Sequence, residues 1–534
     1  MGQTLTSTPA ARVTKLPLVV AAAVMAAISL AAIWQATVVI DHQRYYYLDD
    51  DQMISMRYAR NLVDGLGLVW NAGDRVEGYT NLGWVFVMAA VHAVGVPERL
   101  TSLAVELINI GLAVVILVFT DRLLRRFASP PGWLRFAVLG TLALSIDLIY
   151  WAVNGFETTL LTVVFLWAIT RALDDADRGE CSIVTCLLAG MLPIIRSDAA
   201  DLTAIVVAAG FLLGGRRRLW AVVFAALPLA VHLTFRINYY GDWLPNTYYL
   251  KVAGRSGLFW SGLGYLKGFL QAYPTLVVLA LAAAVTTGDR RIRILLMTCA
   301  FIALRIVLVG ADMFFHFRFI APIVPLLIVF AAAGIAAVGE RRVAMVLATV
   351  LFVSTVMVSG ITGRQSLGWA VNNGLVQDQV VAAWLINRNS RPESTVLVAA
   401  AGAMGYFSHR TAFDMLGKVD REIGHMQPDP KNPFTGHNHY DIDRSLAHKP
   451  DFVVGVVSAA LAKHARELFE AAQIRAGYYE VMLITNQTFI DRYLPHPVTE
   501  PYLMEHNSVF VRDDSPEVAR VGSWPVVAIE ADPR

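Results

Sequence analysis

The feature of this sequence that most limits its fold is a series of long apolar runs separated by short polar loops. A soluble domain buries one hydrophobic core, and about 25% of its residues are usually charged. Here 56% of the residues are hydrophobic and only 16% are charged, so much of the apolar surface must face lipid. About eleven runs, most of them near the roughly 17–25 residues that cross a bilayer, indicate a polytopic α-helical membrane protein. They cover residues 16–40, 101–120, 134–152, 156–173, 182–195, 199–214, 218–235, 268–286, 292–310, 318–337 and 342–360.

The first run predicts a transmembrane helix rather than a cleaved signal peptide. Residues 16–40 form one apolar stretch, whereas the apolar core of a signal peptide has only about 7–15 residues. Arg12 and Lys15 precede this stretch. Because positive charges favour the cytoplasmic side of a membrane, they place the start of the helix in the cytoplasm.

The basic residues between the later runs predict which loops face the cytoplasm. Arginines cluster within residues 122–126, 216–218, 290–293 and 341–342, and loops rich in arginine and lysine remain cytoplasmic. The loops that alternate with these clusters contain mixed polar and aromatic residues. They fall on the opposite face, together with the C-terminal region. The sequence therefore predicts a multi-pass plasma-membrane protein whose polar loops and C-terminal domain are extracytoplasmic.

Segment 81–95 decides whether this assignment of sides holds. A span here would reverse the side of every later loop, but the segment is short for a span. We therefore predict a helix in the outer membrane interface, and a tilted true span is the alternative. The sequence after Asp51 also indicates a helix, which Gly65 would end. Residues 41–96 would thus form a first extracytoplasmic loop with interfacial helices.

Residues 364–534 predict a soluble α/β domain that follows a membrane domain of residues 1–363. Charged residues, prolines and histidines return in this region. Segments 376–388 and 457–473 indicate helices. Short apolar runs indicate strands at residues 395–398, 452–456, 479–484 and 509–511.

Composition and spacing argue against several other kinds of site. A net charge of +2 gives no reason to expect a nucleic-acid surface. The cysteines all lie in apolar stretches, so we expect no disulfide framework; they are Cys181, Cys186 and Cys299. His437 and His439 lie two residues apart in the C-terminal region and could bind a metal, although a substrate-binding or surface loop is the preferred interpretation.

Three consecutive acids, Asp49, Asp50 and Asp51, follow the first apolar run and predict a functional site. A charge beside the membrane loses hydration that only nearby partners can replace. Asp50 or Asp51 could deprotonate a hydroxyl group, and the three acids could coordinate a cation. The alternative is an interfacial salt-bridge network with arginines such as Arg44 and Arg57.

Basic side chains in three later loops are candidates for binding phosphate. Arg196 offers a forked donor that suits phosphate, although it could simply pair with Asp198. Lys251 is a mobile point charge in an aromatic loop. His316 and Arg318 could hold a lipid phosphate while neighbouring phenylalanines line an acyl-chain groove. The alternative for that last loop is anchoring by aromatic residues beside a snorkelling arginine.

Taken together, these motifs resemble the GT-C superfamily of membrane glycosyltransferases, and most closely the mycobacterial arabinofuranosyltransferase B group. The resemblance begins at Asp50-Asp51, which precede a helix containing Ala59-Arg60-Asn61-Leu62. It continues over most of the membrane region and more weakly into the C-terminal domain, which is shorter here. Ser197 stands where the family usually has proline. The further matching elements are Gly67-Leu-Val-Trp-Asn-Ala-Gly-Asp-Arg-Val-Glu77, Asn154-Gly-Phe-Glu-Thr158, Arg196-Ser-Asp198, Tyr240-Gly-Asp-Trp-Leu-Pro-Asn246, Gly310-Ala-Asp312 with Arg318, and Asp414-Met-Leu-Gly417.

The resemblance implies an inverting glycosyltransferase that moves a sugar, best matched by arabinofuranose, from a polyprenyl-phosphate donor. The acceptor would be a cell-envelope glycan or glycolipid at the outer face of the membrane. Asp50 would act as the general base, with Asp51 as a second acid. No nucleotide cofactor is implied, and a divalent metal held by Asp49, Asp50 and Asp51 stays open. The resemblance assigns Arg196, Lys251, His316 and Arg318 to the donor phosphate, and Glu77, Asn154, Glu157, Asp198, Asn246 and Asp312 to the acceptor.

Two other functions compete with this interpretation. A transporter or flippase of lipid-linked sugars would also hold phosphates, but it would place polar residues in the middle of several spans. Few such residues occur here; Arg305 is the main one, and Asp147 lies near the end of a run. A receptor or scaffold on a membrane anchor would need only one or two spans.

Overall fold

A computed structural model describes residues 15–213, 219–252, 257–312, 314, 316–371, 374–429, 436–454, 487–496, 509–521, 524 and 529–530. The helices are α1 Leu16–Gln35, α2 Asp50–Val63, α3 Leu82–Ala93, α4 Glu98–Phe127, α5 Gly132–Ala143, α6 Ile146–Val153, α7 Thr158–Asp177, α8 Ile183–Ile195, α9 Ala200–Leu213, α10 Leu219–Tyr240, α11 Asn246–Lys251, α12 Leu258–Ala272, α13 Pro274–Thr286, α14 Arg290–Thr298, α15 Ala300–Val309, α16 Val324–Ala336, α17 Arg341–Val371, α18 Gly374–Asn389, α19 Ala403–Phe407, α20 Arg421–Gly424, α21 Ile442–Ala447, α22 Gln487–Arg492 and α23 Val518–Val521, with a 3-10 turn at Ala321–Ile323. The strands are β1 Thr37–Ile40, β2 Gln43–Tyr46, β3 Thr395–Val398, β4 Thr411–Asp414, β5 Phe452–Val454, β6 Tyr493–His496, β7 Val509–Arg512 and β8 Ile529–Glu530.

Each apolar run predicted from the sequence contains helix. Five helices are long and apolar enough to cross a membrane, namely α1, α4, most of α10, the continuous α14–α15 segment and the first part of α17. Two further pairs pass the same test but are bent, by 47° between α5 and α6 and by 89° between α12 and α13. α3, α8, α9 and α16 are shorter apolar helices. The chain is therefore a multi-pass helical membrane protein.

Two predicted runs differ from the helices that form. The first run was expected to be helical through residue 40, but α1 ends at Gln35 and Thr37–Ile40 forms β1. Those four residues are all β-branched, which favours an extended chain. The run 268–286 breaks before Pro274, where α13 begins. A proline has no backbone N–H to continue a preceding helix, so the chain turns sharply there.

Helix α2 carries the acid cluster, and it begins at the acids themselves. The Asp49 side chain accepts a hydrogen bond from the Asp51 backbone N–H at 3.1 Å, as an N-cap does. Asp50 and Asp51 occupy the first turn, where negative charge interacts favourably with the helix dipole. The chain leaves the helix at Gly65, which has a φ of 80°. The helix predicted after Asp51, with its end at Gly65, is confirmed.

The C-terminal region forms a five-stranded sheet in the order β4-β3-β5-β7-β6. β3 pairs in parallel with β4 and β5, and β7 pairs antiparallel with β5 and β6. The helix predicted at 376–388 and the strands predicted at 395–398 and 509–511 are confirmed by α18, β3 and β7, and the start of 452–456 forms β5. The predicted strand at 479–484 and helix at 457–473 lie outside the described residues. The sequence did not predict β4 and β6.

Arg57, a buried residue of α2, fastens this domain to the membrane domain. Its guanidinium donates hydrogen bonds to the backbone carbonyls of Trp70, Gly405 and Arg410. It also donates to the Asn71 side chain and lies over the Trp70 ring. The charge is thus surrounded by dipoles from both domains, which fixes α2 against α19 and its loops.

The two ends of the long helix α4 differ in their charged partners. At its start, Glu98 pairs with Arg60 and with His409 of the C-terminal domain. At its end, Arg126 pairs with Asp174 and Asp177 of α7. Thirty helical residues span about 45 Å. The arginine cluster at the end of α4 therefore lies far from the contact between Glu98 and His409 of the C-terminal domain.

We expect Arg57→Met to destabilise the protein by on the order of 3 kcal/mol, because it leaves several buried carbonyls without a donor. The measurement is the thermal unfolding midpoint of the detergent-solubilised chain. The matched control is Arg388→Met, since Arg388 forms an exposed pair with Asp41 at 3.8 Å that should contribute at most about 1 kcal/mol. Equal midpoints for the two variants would contradict the role given to Arg57.

Candidate active site

A cavity of about 610 Å³ lies where α2, α11, α15 and the C-terminal domain meet. Its lining has a charged part and an apolar part. Among the described residues, the charged part contains five acidic and five basic side chains, which are Asp51, Glu157, Asp198, Asp201 and Asp312, and Arg196, Lys251, Arg305, Arg318 and Lys418. A buried charge is tolerated only with a partner, so the pairing within this set determines what the site can bind.

The arginines of the cavity are held by carboxylates in well-formed pairs. Arg318 contacts both oxygens of Asp312, at 2.7 and 2.9 Å. Arg196 contacts Asp198 at 2.7 Å. Arg305 bridges Asp198 at 3.1 Å and Asp201 at 2.7 Å. These contacts fix the planar guanidinium groups at one end of the cavity, where they present positive charge in a defined orientation.

Asp51 projects into the cavity and pairs with two lysines. Its Oδ1 lies 2.6 Å from the Nζ of Lys418, and its Oδ2 lies 3.6 Å from the Nζ of Lys251. Burial alone would raise the pKa of the Asp51 carboxyl, but the two ammonium groups outweigh it and hold the pKa below its ordinary value. Asp51 is therefore a stable carboxylate in this state of the site.

Asp50, the next acid along the chain, does not line the cavity. Its carboxylate accepts hydrogen bonds from the backbone N–H groups of Gly402 and Ala403 at 3.0 to 3.2 Å. A Cβ at position 402 would lie 1.9 Å from the Asp50 carbonyl oxygen, so only glycine fits this approach. Burial raises the pKa of Asp50, against the effect of Lys418 and these N–H groups. Asp50 thus joins α2 to the C-terminal domain.

The Asp49 side chain has different neighbours from those of Asp50 and Asp51, so the three carboxylates do not converge on one point. Burial, with the neighbouring charges of Asp51 and Asp50, raises the pKa of Asp49 to about 7. Its side chain caps α2, whereas Asp50 contacts Gly402 and Asp51 contacts Lys418. Within the part of the chain that the structure describes, no group of three or more His, Cys, Asp or Glu side chains is arranged to hold a metal ion.

The loop that carries Lys418 is shaped by two polar side chains. The Asn246 amide donates to the carbonyls of Gly417, Lys418 and Asp420 at 2.8 to 3.2 Å. The Asp414 carboxylate accepts hydrogen bonds from two backbone N–H groups of the same loop. Asn246 begins the short helix α11, which ends at Lys251. One amide therefore sets the separation between the segments that bring the two lysines to Asp51.

The apolar part of the lining comes mainly from α9 and α15, which the Asp201–Arg305 pair also connects. It contains Ala200 and Ala204 of α9 and Phe301, Leu304 and Leu308 of α15. Leu304 and Leu308 are 56% and 64% exposed. Because these helices belong to the membrane domain, their exposed apolar side chains border a groove that can accept a hydrocarbon chain from the bilayer.

The structure brings seven of the twelve site residues predicted from the sequence into this cavity. Those seven are Asp51, Glu157, Arg196, Asp198, Lys251, Asp312 and Arg318. Glu157 accepts hydrogen bonds from the amides of Gln52 and Asn81 at 3.3 and 3.1 Å. These contacts place its carboxylate between α2 and Arg196, which lies 3.7 Å away.

The other five predicted residues make structural contacts outside the cavity lining. Glu77 forms a two-point pair with Arg236. The Nδ1 of His316 lies 2.7 Å from an oxygen of the Asp147 carboxylate, and Asn154 donates to the Tyr150 carbonyl at 2.9 Å. Asp50 and Asn246 connect the two domains, as described above.

The sequence reasoning missed Lys418, Asp201 and the participation of Arg305 in the site. Lys418 is 367 residues from its partner Asp51, so no local spacing could relate them. It directly follows the Asp414-Met-Leu-Gly417 element, which was the available signal. Arg305 and Asp201 stand out as charges within apolar runs, and their pairing at 2.7 Å explains how the membrane domain tolerates them.

Part of the chain is similar in sequence to two named proteins. It is 29% identical over 259 residues, 44% of this chain and 40% of the relative, to a protein of Mycobacterium tuberculosis named terminal beta-(1->2)-arabinofuranosyltransferase. The protein of the same name from Corynebacterium glutamicum is 27% identical over 269 residues, 45% of this chain and 38% of that protein. The chain thus spans about two fifths of the length of these curated relatives. Residues 370–505 match a family described as a domain of unknown function (DUF8728).

Solved structures show the fold of the whole chain. ArnT from Cupriavidus metallidurans bound to undecaprenyl phosphate matches with a TM-score of 0.59 at 11% identity, over 94% of this chain and 99% of that chain. The apo form of ArnT matches with a TM-score of 0.52 at 12% identity, over 91% of this chain and 97% of that chain. ArnT has the GT-C fold. The GT-C fold and the resemblance to arabinofuranosyltransferases predicted from the sequence are therefore confirmed.

We expect Asn246→Asp to displace the Lys418 loop, because a carboxylate would face three carbonyl oxygens where an amide now donates. The loss of these buried hydrogen bonds should cost about 2–3 kcal/mol, measured as a lower thermal unfolding midpoint. Asn238→Asp is the control, since Asn238 is exposed and donates to one carbonyl within its own helix. An Asn246→Asp variant as stable as that control would contradict this function of Asn246.

Proposed function

We propose that this chain is a GT-C glycosyltransferase that moves a sugar from a polyprenyl-phosphate donor to a hydroxyl group of a glycan or glycolipid. The observation that carries the proposal is the continuity of one cavity from an apolar groove to a cluster of paired charges around Asp51. A lipid-linked sugar has the same order of parts, with a hydrocarbon chain, a phosphate and a sugar. The similarity to named arabinofuranosyltransferases and to ArnT supports the same class of reaction.

The donor would lie along the cavity with its isoprenoid chain between α9 and α15. Its phosphate would then reach Arg196 and Arg318, which the neighbouring acids already orient. Lys251 approaches from α11 on the same side. Oriented cations of this kind stabilise the negative charge that grows on a leaving phosphate without needing to reorganise. ArnT, the fold neighbour, was solved with undecaprenyl phosphate, which favours a donor of this class.

In the proposed reaction the acceptor hydroxyl attacks the anomeric carbon of the sugar. A new carbon–oxygen bond forms as the bond from that carbon to the phosphate oxygen breaks, and the bonding electron pair remains on the phosphate. The hydroxyl proton passes to a carboxylate of the enzyme. One displacement inverts the configuration at the anomeric carbon. A positioned base contributes roughly 10²–10⁴-fold to such a rate.

We assign the base to Asp51 rather than to Asp50, which the family resemblance suggests. Asp51 lines the cavity and lies beside the lysines. The Asp50 carboxylate instead contacts the backbone N–H groups of Gly402 and Ala403. A base must come within hydrogen-bond reach of the acceptor hydroxyl, and this contact turns the Asp50 carboxylate toward the backbone of the C-terminal domain.

Arabinofuranose is the sugar we propose, and the plasma membrane is the location. The names of the two curated relatives support the sugar. The separation of the arginine cluster on α4 from the C-terminal domain supports an extracytoplasmic site, because positive charges favour the cytoplasmic side. The acceptor would then be a glycan or glycolipid of the cell envelope.

A flippase of lipid-linked sugars remains the second candidate, and Arg305 is the observation that favours it. Arg305 and its partner Asp201 place charge within helices of the membrane domain, as transporters do. The two functions are separated by one assay on proteoliposomes. Movement of a labelled donor across the bilayer without any transfer product would support the flippase, and a labelled glycan product would support the transferase.

We expect Asp51→Asn to lower kcat at least about 100-fold, because it removes the proposed base while preserving size. Asp50→Asn should lower kcat less than about tenfold and should reduce the thermal midpoint, because it weakens a contact between domains. Transfer from a radiolabelled polyprenyl-phosphoryl arabinofuranose donor measures both. Lys267→Met, which changes an exposed residue of α12, controls for an altered charge. If Asp50→Asn lowers kcat more than Asp51→Asn does, the base is Asp50 instead.

We expect Ala204→Phe to obstruct the apolar groove and to raise the KM for a long-chain donor about tenfold or more. The KM for a donor with a short isoprenoid chain should change little, since that chain ends before the obstruction. Ala208→Phe is the matched control, one turn further along α9 and outside the cavity lining. Equal sensitivity of long and short donors to Ala204→Phe would contradict this path for the lipid.

A further inference from the structure

The cation that contacts Asp51 most closely comes from the C-terminal domain. Lys418 lies in the loop between β4 and α20, and its Nζ is 2.6 Å from the Asp51 carboxylate. This loop belongs to the segment that matches a domain of unknown function. The soluble domain therefore does more than cover the membrane domain, because it supplies one of the charged groups that line the cavity.

Lys251 is held less firmly than the three arginines of the cavity, whereas Lys418 is buried and makes one short hydrogen bond with Asp51. Each arginine makes hydrogen bonds with carboxylate oxygens in a defined plane, as Arg318 does with Asp312. Lys251 is 3.6 Å from Asp51, which is too far for a hydrogen bond, and its side chain is 25% exposed. A lysine ammonium is also a point charge with three rotatable donors on a flexible stem. Lys251 can thus change partner at little cost, and Lys418 can exchange its one hydrogen bond with Asp51 for one with a phosphate oxygen.

The balance of charge in the cavity favours a change of partner by the two lysines when a phosphate enters. Among the residues that the structure describes, the acidic and basic side chains of the lining are equal in number, so a phosphate that enters brings an additional negative charge. The arginines already share their charge with Asp198, Asp201 and Asp312. Asp51 is the carboxylate of the cavity that pairs with two lysines, so cations are most readily released from there.

We infer that Lys418 and Lys251 are shared between Asp51 and the phosphate of the donor. Without donor they neutralise Asp51; with donor they turn toward the phosphate and leave Asp51 free to accept a proton. Lys418 is then a phosphate-binding residue contributed by the C-terminal domain, and donor binding prepares the base. This inference deepens the proposed function and rests on it.

This exchange of partners by the lysines requires donor binding to precede activation of the acceptor hydroxyl. A carboxylate held by two ammonium groups is a weak base, because its pKa is depressed. Arg318 contributes to the same effect, and Asp49 and Asp50 on the same helix interact with Asp51 through their negative charges. An acceptor hydroxyl would therefore be activated only after the phosphate has drawn the lysines away. Acceptor activation in the absence of donor would be suppressed.

Binding of undecaprenyl phosphate to the full-length chain in nanodiscs tests the inference. We expect Lys418→Met to weaken binding about tenfold, the factor for one lost charge-assisted hydrogen bond. Asp51→Asn should strengthen binding by a comparable factor, since the lysines lose their competing anion. Lys418→Arg, which keeps the charge, should restore most of the affinity. The matched control is Lys449→Met, an exposed lysine of the same domain, which should leave binding unchanged.

The possible outcomes separate the inference from the function on which it rests. Weaker or unchanged binding in Asp51→Asn would overturn the sharing of lysines, even if the wild-type chain binds the phosphate well. Affinity unaffected by Lys418→Met would overturn the role of Lys418 in the same way. A wild-type chain that binds no undecaprenyl phosphate at all would overturn the proposed donor class, and the inference with it.

The pH dependence of transfer gives a second readout that a purely structural lysine would not move. The acid limb of the pH profile of kcat/KM for the donor reports the pKa of the base in the enzyme without donor. The acid limb of the kcat profile reports the pKa of the base when donor is bound. Lysines near the carboxylate lower its pKa, so the wild-type limb should lie at lower pH in kcat/KM than in kcat. Lys418→Met should move the kcat/KM limb to higher pH and narrow this gap. Coincident limbs in the wild type would contradict the exchange.

Discussion

The structure depends on the pairing of charges at the boundary between the helix bundle and the C-terminal domain. A cavity with ten ionised side chains would be untenable beside a lipid phase if they were unpaired, since each buried charge loses its hydration. Here the arginines share the carboxylates of Asp198, Asp201 and Asp312, and Asp51 takes two lysines. The same pairs that make the site stable also orient its cations. The same ion pairs therefore stabilise the protein and prepare the cavity to bind an anion.

The helices of the membrane domain could be predicted from the sequence, because long apolar runs leave few alternatives to a helix in lipid. The functional importance of the acid cluster was also visible, since three acids beside a span are costly. The sequence did not show which of the two carboxylates, Asp50 or Asp51, faces the cavity. Consecutive residues at the start of a helix point in different directions, and only the approach of Gly402 determines which carboxylate faces the cavity. The start of β1 was missed because Thr37–Ile40 is as apolar as the helix before it.

Seven of the twelve residues that the family resemblance assigns to a site line the cavity, and the other five do not. Glu77 and His316 lie in matching motifs, yet each is engaged with a buried partner, Arg236 and Asp147 respectively. A motif records that a residue is needed, and a scaffold needs residues as much as a reaction does. Lys418 shows the reverse case. It had no recognised role in the sequence, and it makes the shortest contact with Asp51 because a distant domain folds back onto α2.

The pairing of β8 with β1 has a consequence for how the protein is made. Strand β1 follows the first membrane helix and pairs on one side with β2. On its other side it pairs with β8, which is formed by Ile529 and Glu530. During synthesis the hairpin of β1 and β2 therefore emerges with one edge bare, because Ile529 and Glu530 follow much later in the chain. An uncovered edge of this kind invites mispairing with other chains. The pairing of β8 with β1 removes that hazard, so this small sheet is complete only after residues 529–530 have been synthesised.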